Sequence, residues 1–256
     1  GGPTAEPDAL ARGRASRRPQ EELTVAEPIA SSDTEPREPL FRERPREFIV
    51  RDALTLGVAP LALAGFAGLL GWTGIGYALL ALSLFVAFFF RNPQRLLPGD
   101  ERTVVAPADG RVLEAGEIER PDGTKARRVG IFLSIFDVHV NRAPVAGRVV
   151  AVERGGEKYL AAFNRRAEAE NARCEVTLET ERGERVGVTQ IVGLIARRIV
   201  CHPQPGEWIA RGARYGLIRF GSRTDVVLPM DAELRVRPGE RVRGGSSVIA
   251  QLPRDA

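Results

Sequence analysis

The hydrophobic and polar positions divide the chain into three stretches of different pattern. In the first, residues 1–45, Pro, Glu, Arg, Ser and Ala alternate with almost no aromatic side chain. Such a segment buries too little apolar surface to offset the entropy lost on ordering. The pattern therefore predicts a disordered tail, and it lacks the apolar core of a secretory signal.

The second stretch, from Ala53 to Phe90, contains no charged residue. A membrane-spanning helix needs about 20 apolar residues, and this run is nearly twice that length, with a Gly-Trp-Thr-Gly turn signal at its middle. We predict a membrane-associated hairpin within residues 46–97, with helices at Ala53–Leu70 and Ile75–Phe90. Arginines flank both ends, which places both ends on the cytoplasmic side. The alternatives are a shallow re-entrant insertion and a pair of buried core helices.

The third stretch, residues 98–256, carries short Val/Ile-rich runs separated by Gly, Pro and Asp, which is typical of an all-β domain. One helix is predicted at Glu157–Ala172, because its apolar side chains fall on one face. The strand-like runs are Val104–Val105, Arg111–Leu113, Val129–Leu133, Arg148–Val152, Cys174–Leu178, Val186–Gln190 and Ile191–Ile195.

Three Gly-centred segments, beginning at Ala108, Val145 and Leu234, resemble one another as the hairpins of lipoyl-type sandwiches do. The fold class predicted is therefore mainly β (α+β). A sandwich- or barrel-like β domain with lipoyl-like hairpins follows an N-terminal membrane helical hairpin. This pattern concerns the fold and not the function.

The counts of cysteine, histidine and charged residues limit which residues can take part in catalysis or binding. The two cysteines, Cys174 and Cys201, form no disulfide framework, which favours a reducing compartment. Histidine chemistry has only two candidates, His139 and His202. The net charge of +4 comes almost entirely from arginine, and it is compatible with anionic lipid, with nucleic acid or with codon usage alone.

The bond between Gly221 and Ser222 is the first candidate for chemistry, because it lies in the strand-like segment Tyr215–Asp225. A serine hydroxyl can attack the preceding carbonyl and convert the amide to an ester, and β-elimination then leaves an N-terminal pyruvoyl group. Glycine suits this reaction, since it has no Cβ to block the attack and tolerates strained backbone angles. A pyruvoyl ketone is an electron sink for amine substrates. The alternative is an ordinary Gly-Ser turn.

Four further segments each have a functional and a structural interpretation. Asp109 is either a turn residue or a carboxylate that orients a histidine. His139 is either a satisfied histidine in an apolar strand or a catalyst. Arg197 and Arg198 either lie on a solvated edge strand or meet an anion, since paired arginines are costly in an apolar strand. Arg91, directly after the apolar hairpin, is either an interface anchor or part of a lipid-headgroup site.

Together these segments resemble the phosphatidylserine decarboxylase family in its short proteobacterial form, over roughly Phe48–Leu252. Five motifs in the expected order carry the resemblance: Phe90-Arg91-Asn92-Pro93, Ala106-Pro107-Ala108-Asp109-Gly110, Phe136-Asp137-Val138-His139-Val140-Asn141-Arg142, Gly193-Leu194-Ile195-Ala196-Arg197-Arg198-Ile199 and Gly216-Leu217-Ile218-Arg219-Phe220-Gly221-Ser222-Arg223.

The resemblance implies an enzyme that decarboxylates phosphatidylserine to phosphatidylethanolamine after self-cleavage at Gly221-Ser222. Its cofactor is a covalent pyruvoyl group made from Ser222, and no metal is implied. The precursor gives a β chain (1–221) and an α chain (222–256), which are partners of each other. The substrate is held in the membrane, and the location implied is the cytoplasmic face of the inner membrane. No nucleic acid is implied, and a homodimer is left open.

The resemblance also assigns roles to the candidate residues. His139 is the candidate proton donor, with Asp109 as the residue that orients or deprotonates a partner. The headgroup is expected to meet Arg91, Arg197 and Arg198.

Two features need separate treatment. Ser246, in Gly-Gly-Ser-Ser-Val-Ile, looks like the cleavage serine of longer members, but cleavage there leaves an α chain of only the residues 246–256; we favour Ser222. Longer members also carry His-x-x-His where this chain has His139 and Arg142, and their second histidine is implicated in self-cleavage. The step that His139 serves is therefore open.

Two alternatives remain. A membrane-anchored, non-catalytic β-barrel scaffold accounts for the hairpin and the Gly-rich hairpins, but not for Gly221-Ser222 in its context. A decarboxylase of another seryl phospholipid, of the archaetidylserine type, has the same headgroup chemistry and differs only in the lipid tails.

Overall fold

The computed structural model describes residues 54–120, 122–160, 170–194, 198–218 and 222–254. Within these ranges the chain forms two helices and fourteen strands. Their bounds are α1 (Leu54–Leu69), α2 (Thr73–Phe89), β1 (Thr103–Val105), β2 (Gly110–Glu119), β3 (Lys125–Leu133), β4 (Val140–Arg142), β5 (Gly147–Gly155), β6 (Arg173–Glu179), β7 (Arg185–Val192), β8 (Ile199–Cys201), β9 (Trp208–Ile209), β10 (Arg214–Ile218), β11 (Ser222–Leu228), β12 (Glu233–Leu234), β13 (Arg241–Val242) and β14 (Val248–Gln251).

The two helices form the expected hairpin. They pack on each other, and the Ser83 hydroxyl of α2 donates a hydrogen bond of 2.8 Å to the Gly57 carbonyl of α1. Gly71 makes the turn with a φ of +76°, a conformation that glycine adopts without strain. Many apolar side chains of both helices face outward, among them Leu63, Phe66 and Leu84. Across the described ranges, neither helix is both long and apolar enough to cross a membrane.

The β domain is built on one curled antiparallel sheet of eight strands in the order β13-β2-β3-β11-β7-β6-β5-β9. Two three-stranded sheets, β1-β14-β12 and β4-β10-β8, complete it. Valine and isoleucine dominate the interior, as branched side chains fit a pleated, half-buried surface. Val112, Ile131, Val188 and Val226 lie fully inside this core. The mainly β prediction is confirmed at this level.

Two local predictions need correction. The runs predicted at 186–190 and 191–195 form one strand, β7, which ends at Val192. The predicted helix at Glu157–Ala172 is absent at its described beginning, where Lys158 bridges Asn171 in parallel register. The cause is the Asn171 side chain, which accepts from the Leu160 N–H and donates to the Leu160 carbonyl, both at 2.8 Å. Those bonds stabilise an extended segment; residues 161–169 lie outside the described ranges.

The end of α2 is seated on the β domain beside β4 and β10. Phe89 and Phe90, both buried, pack with Val138, Val140 and Leu217 in one apolar cluster. The apolar hairpin therefore ends against the strand that follows His139.

Gly216→Ala should destabilise the protein, because a Cβ at this position would overlap the carbonyl oxygen of Val200 on the neighbouring strand β8. Overpacking of this kind costs about 1–3 kcal/mol. Gly116→Ala is the matched control, since Gly116 lies in β2 with nothing within 4 Å of the added Cβ. Urea unfolding of the two variants checks this, and equal midpoints would contradict it.

Candidate active site

Ser222 is the first residue of β11, a strand that is paired on both sides. It lies opposite Leu133 of β3 and Val192 of β7. The residue is completely buried, and its hydroxyl oxygen has no hydrogen-bond partner within the described residues. A buried polar group without a partner costs roughly 1–3 kcal/mol. Such an exception calls for a physical explanation, and the described residues hold other buried side-chain atoms of this kind.

The strand that precedes Ser222 in the chain, β10, ends close to the strand partner of Ser222. Ile218, the last residue of β10, packs against Val192, which is the residue that pairs with Ser222. Only residues 219–221, which include Gly221, connect the two strands. These residues and Arg197 lie outside the described ranges. Leu133 and Val192, the strand partners of Ser222, and Ile218 are all buried apolar residues.

His139 is buried close to this connection. Its carbonyl accepts a backbone hydrogen bond of 3.3 Å from Ile218 N, and its ring lies on Phe89 with centroids 4.1 Å apart. Nδ1 is 2.9 Å from the Asp137 carbonyl oxygen. Because a carbonyl can only accept, this contact assigns the proton to Nδ1 and leaves the lone pair of the neutral ring on Nε2.

Burial keeps that ring neutral. Desolvation lowers the pKa of His139 to about 4, although the hydrogen bond to the Asp137 carbonyl and the Asp137 charge act in the opposite direction. At neutral pH the side chain is therefore a hydrogen-bond donor at Nδ1 and a base at Nε2.

Asp109 does not supply the orienting contact expected for it. Its carboxylate forms an ion pair of 2.7 Å with Arg95 and accepts a 2.7 Å hydrogen bond from Gly244 N; within the described residues it makes no hydrogen bond to His139. Desolvation raises the pKa of Asp109, and Arg95 and the Gly244 N–H oppose this rise. The residue that orients His139 is Asp137, through its backbone carbonyl.

Arg142, in the position of the second histidine of longer members, is also occupied elsewhere. It donates to the Gly212 carbonyl at 3.0 Å, to Asn92 Oδ1 at 2.5 Å and to the Pro93 carbonyl at 3.0 Å. These bonds fasten the segment after α2 to the β domain. The motifs contained Asn92 and Arg142, but only the structure pairs them.

A buried amide network lies on the same sheet. Asn141 donates to Thr224 Oγ1 at 3.3 Å, and Gln190 donates to Asn141 Oδ1 at 2.8 Å and to the Val200 carbonyl at 3.3 Å. It joins the central strands β7 and β11 to β4 and β8. Sequence reasoning missed Gln190, whose only signal was an amide in a Val/Ile-rich run.

Two of the three candidate arginines, Arg91 and Arg198, lie within the described residues. Arg91 lies over the Phe88 ring at 3.9 Å and donates to the carbonyls of Phe88 (2.8 Å) and Phe136 (2.7 Å). Partial burial lowers the pKa of Arg91. The hydrogen bond to Phe136 places the Arg91 guanidinium against the loop that leads to His139. Arg198 is exposed just before β8.

Ser246 lies in a different environment from Ser222. It is half-buried in a turn where Gly245 has a φ of +77° and the Ser246 N–H donates to the Arg243 carbonyl at 3.0 Å. It therefore lies outside the sheet ladder that holds Ser222.

Comparison with known proteins gives matches to one family. The family model described as phosphatidylserine decarboxylase matches residues 82–250, a range that contains Asp109, His139 and Ser222. The phosphatidylserine decarboxylase proenzyme of Symbiobacterium thermophilum is 48% identical over 210 residues, covering 81% of this chain and 97% of the relative. The proenzyme of Geotalea uraniireducens is 47% identical over 198 residues, covering 75% and 93%.

The buried, neutral His139 should make stability depend on pH. Its pKa is about 4 in the folded protein and about 6.5 in an unfolded chain. The unfolded state therefore binds more protons in this window, and the free energy of unfolding falls as pH drops from 6.5 to 4, by on the order of 3 kcal/mol.

Urea unfolding of an uncleaved Ser222→Ala background checks this against the same background with His139→Asn. The test compares how the free energy of unfolding changes with pH in the two proteins. This comparison is needed because the raised pKa of Asp109 changes that free energy in the opposite direction in both. His202→Asn, at the exposed histidine, is the matched control. Parallel stability curves with and without His139 would refute the pKa assignment.

Proposed function

We propose a function from the premise that this chain belongs to the phosphatidylserine decarboxylase family. It is a carboxy-lyase, and its reaction is the decarboxylation of phosphatidylserine to phosphatidylethanolamine. The relatives are named proenzymes, which is consistent with two chains arising from one precursor and with a pyruvoyl group in the mature enzyme.

The observation that carries the finer proposal is the buried Ser222 hydroxyl without a partner. We assign the cleavage to the Gly221-Ser222 bond. Ser222 Oγ attacks the Gly221 carbonyl carbon, the Gly221–Ser222 amide bond breaks, and an ester replaces it. Loss of the Ser222 α-proton then expels the Gly221 carboxylate, and hydrolysis of the remaining dehydroalanine consumes water and releases ammonia. A pyruvoyl group at the start of the α chain is the product.

The chain's own residues fit this group. β11 keeps its pairing with β3 and β7 on both sides of the new terminus, so the end stays in place after cleavage. Leu133, Val192 and Ile218, all buried, give this end of β11 apolar neighbours. When formed, the pyruvoyl group supplies a ketone that accepts the electron pair released as carbon dioxide leaves.

His139 is best suited to be the base that takes the Ser222 proton. Its ring is neutral, Nε2 carries the lone pair, and its backbone is bonded to Ile218, which begins the short connection to Ser222. A ring with a pKa near 4 is a weak candidate for a stored acid at neutral pH. The proton donor for the decarboxylation step then lies elsewhere or is His139 after it has gained a proton.

Substrate access is proposed to be from a membrane, at its cytoplasmic face. The outward-facing apolar side chains of α1 and α2 support this, as does the position of Arg91 between the hairpin and the His139 loop. Arg91 and Arg198 are proposed to meet the anionic headgroup together with Arg197.

Ser222→Ala should give an uncut and inactive chain, because no other hydroxyl lies at the start of β11. Ser246→Ala, the matched control, should be cleaved normally. Intact mass under denaturing conditions checks both variants. The wild-type chain and Ser246→Ala should show a fragment that begins with residue 222 and is blocked to Edman degradation, and Ser222→Ala should not. Cleavage that persists in Ser222→Ala would move the site elsewhere, and an uncut but fully active wild-type chain would remove the pyruvoyl proposal.

His139→Asn should accumulate as full-length precursor, because asparagine can retain a donor to the Asp137 carbonyl but has no base at the Nε2 position. We expect the rate of self-cleavage to fall by about 10²–10⁴-fold, the usual loss for a general base, as followed by intact mass over time. Normal cleavage with lost turnover would instead assign His139 to the decarboxylation step.

A further inference from the structure

The sheet directs two exposed apolar loops to the edge at which Ser222 lies. Leu133 and Val192, which pair with Ser222, are the last residues of β3 and β7. The chain leaving β3 carries Ile135 and Phe136, and the chain leaving β7 carries Leu194. The side chains of Phe136 and Leu194 are 65% and 66% exposed. Large apolar side chains are thus presented to solvent on both sides of the nucleophile.

The end of the helical hairpin joins the same edge. Arg91 lies over the ring of Phe88, which is 45% exposed, and donates to the carbonyl of Phe136. One guanidinium thereby links the α2 terminus with the loop after β3. We call the four side chains Phe88, Ile135, Phe136 and Leu194 the rim.

Two exposed arginines lie on or beside the segments that carry the rim. Arg241 is exposed and lies 3.8 Å from Asp137, in the same loop as Phe136. Arg198, also exposed, follows Leu194 along the chain. The acidic group here, Asp137, is turned inward, where it accepts from the N–H and hydroxyl of Ser134 at 2.8 and 2.7 Å. The exposed charged side chains named here, Arg198 and Arg241, are therefore both positive.

We propose that the rim is a membrane contact that extends from the end of α2 onto the loops of the β domain, and that it enters an anionic phospholipid bilayer beside Ser222. The proposal rests on the proposed function, because a lipid headgroup must reach a buried serine. Exposed aromatic and leucine side chains backed by arginine suit the boundary between headgroups and acyl chains. The rim is also continuous with the apolar hairpin, which favours a bilayer over a protein partner.

The test is the double variant Phe136→Ser/Leu194→Ser, assayed on two substrates. One is phosphatidylserine in phosphatidylcholine vesicles, and the other is short-chain phosphatidylserine below its micelle concentration. We expect kcat/KM on vesicles to fall by about tenfold or more, since the two lost side chains each contribute substantial apolar transfer energy. The value for the monomeric substrate should stay unchanged.

Two controls sharpen the result. Leu96→Ser removes a leucine that is 91% exposed but lies outside the rim, and it should leave both values unchanged. The conservative Phe136→Leu/Leu194→Met should restore most of the vesicle activity.

Three results would overturn the rim assignment: equal losses on both substrates, an equal loss in Leu96→Ser, or a loss seen on cell membranes but not on protein-free vesicles. The last would assign the rim to a protein partner. A wild-type enzyme inactive on both substrates would instead reject the proposed function. The rim would then be tested by flotation, in which the double variant should bind vesicles more weakly than the wild-type chain.

Discussion

The pairing of β11 with a strand on each side fixes the chain at Ser222, and the site depends on it. Hydrogen bonds from β3 and β7 hold the backbone of this strand from its first residue. The serine can therefore keep a buried hydroxyl without a partner, since its cost of roughly 1–3 kcal/mol is small beside the stability of a central strand. In the proposed cleavage before Ser222, the same ladder would also hold the new chain end.

A second restraint lies one residue further along. Arg223 is buried and forms an ion pair with Asp225 through Nε–Oδ1 at 2.5 Å and Nη2–Oδ2 at 2.8 Å, and it also binds Glu114 of β2. A Cβ on Gly130 would lie 3.0 Å from Arg223 Nη2 and 3.1 Å from Asp225 Oδ1, so this glycine leaves room for the pair. Buried ion pairs add little net stability, but removing one partner is costly. The pair thus restrains the position of Arg223, the residue next to Ser222.

The sequence predicts those parts of the structure that depend on local pattern. The charge-free run gives the helical hairpin, and the Val/Ile-rich runs give β1–β3 and β5–β7, because burial periodicity is written into neighbouring residues. The local pattern fails where a hydrogen bond to a non-adjacent residue determines the conformation. Asn171 holds Leu160 in a non-helical conformation, and Asp109 accepts from the backbone N–H of Gly244, a residue far away in sequence. Pairings of this kind have no local signal, so the motifs named the candidate residues but not their partners.

The departure at Arg142 then has a physical consequence. A carboxylate that accepts from Nδ1 stabilises an imidazolium, whereas a backbone carbonyl orients the ring with much less stabilisation of its charge. His139 has the carbonyl of Asp137, Asp109 is neutralised by Arg95, and Arg142 is used to hold Asn92. These surroundings favour the neutral form of the His139 ring. This supports the proposal that His139 accepts a proton during maturation, because a ring of low pKa holds no proton ready for donation at neutral pH.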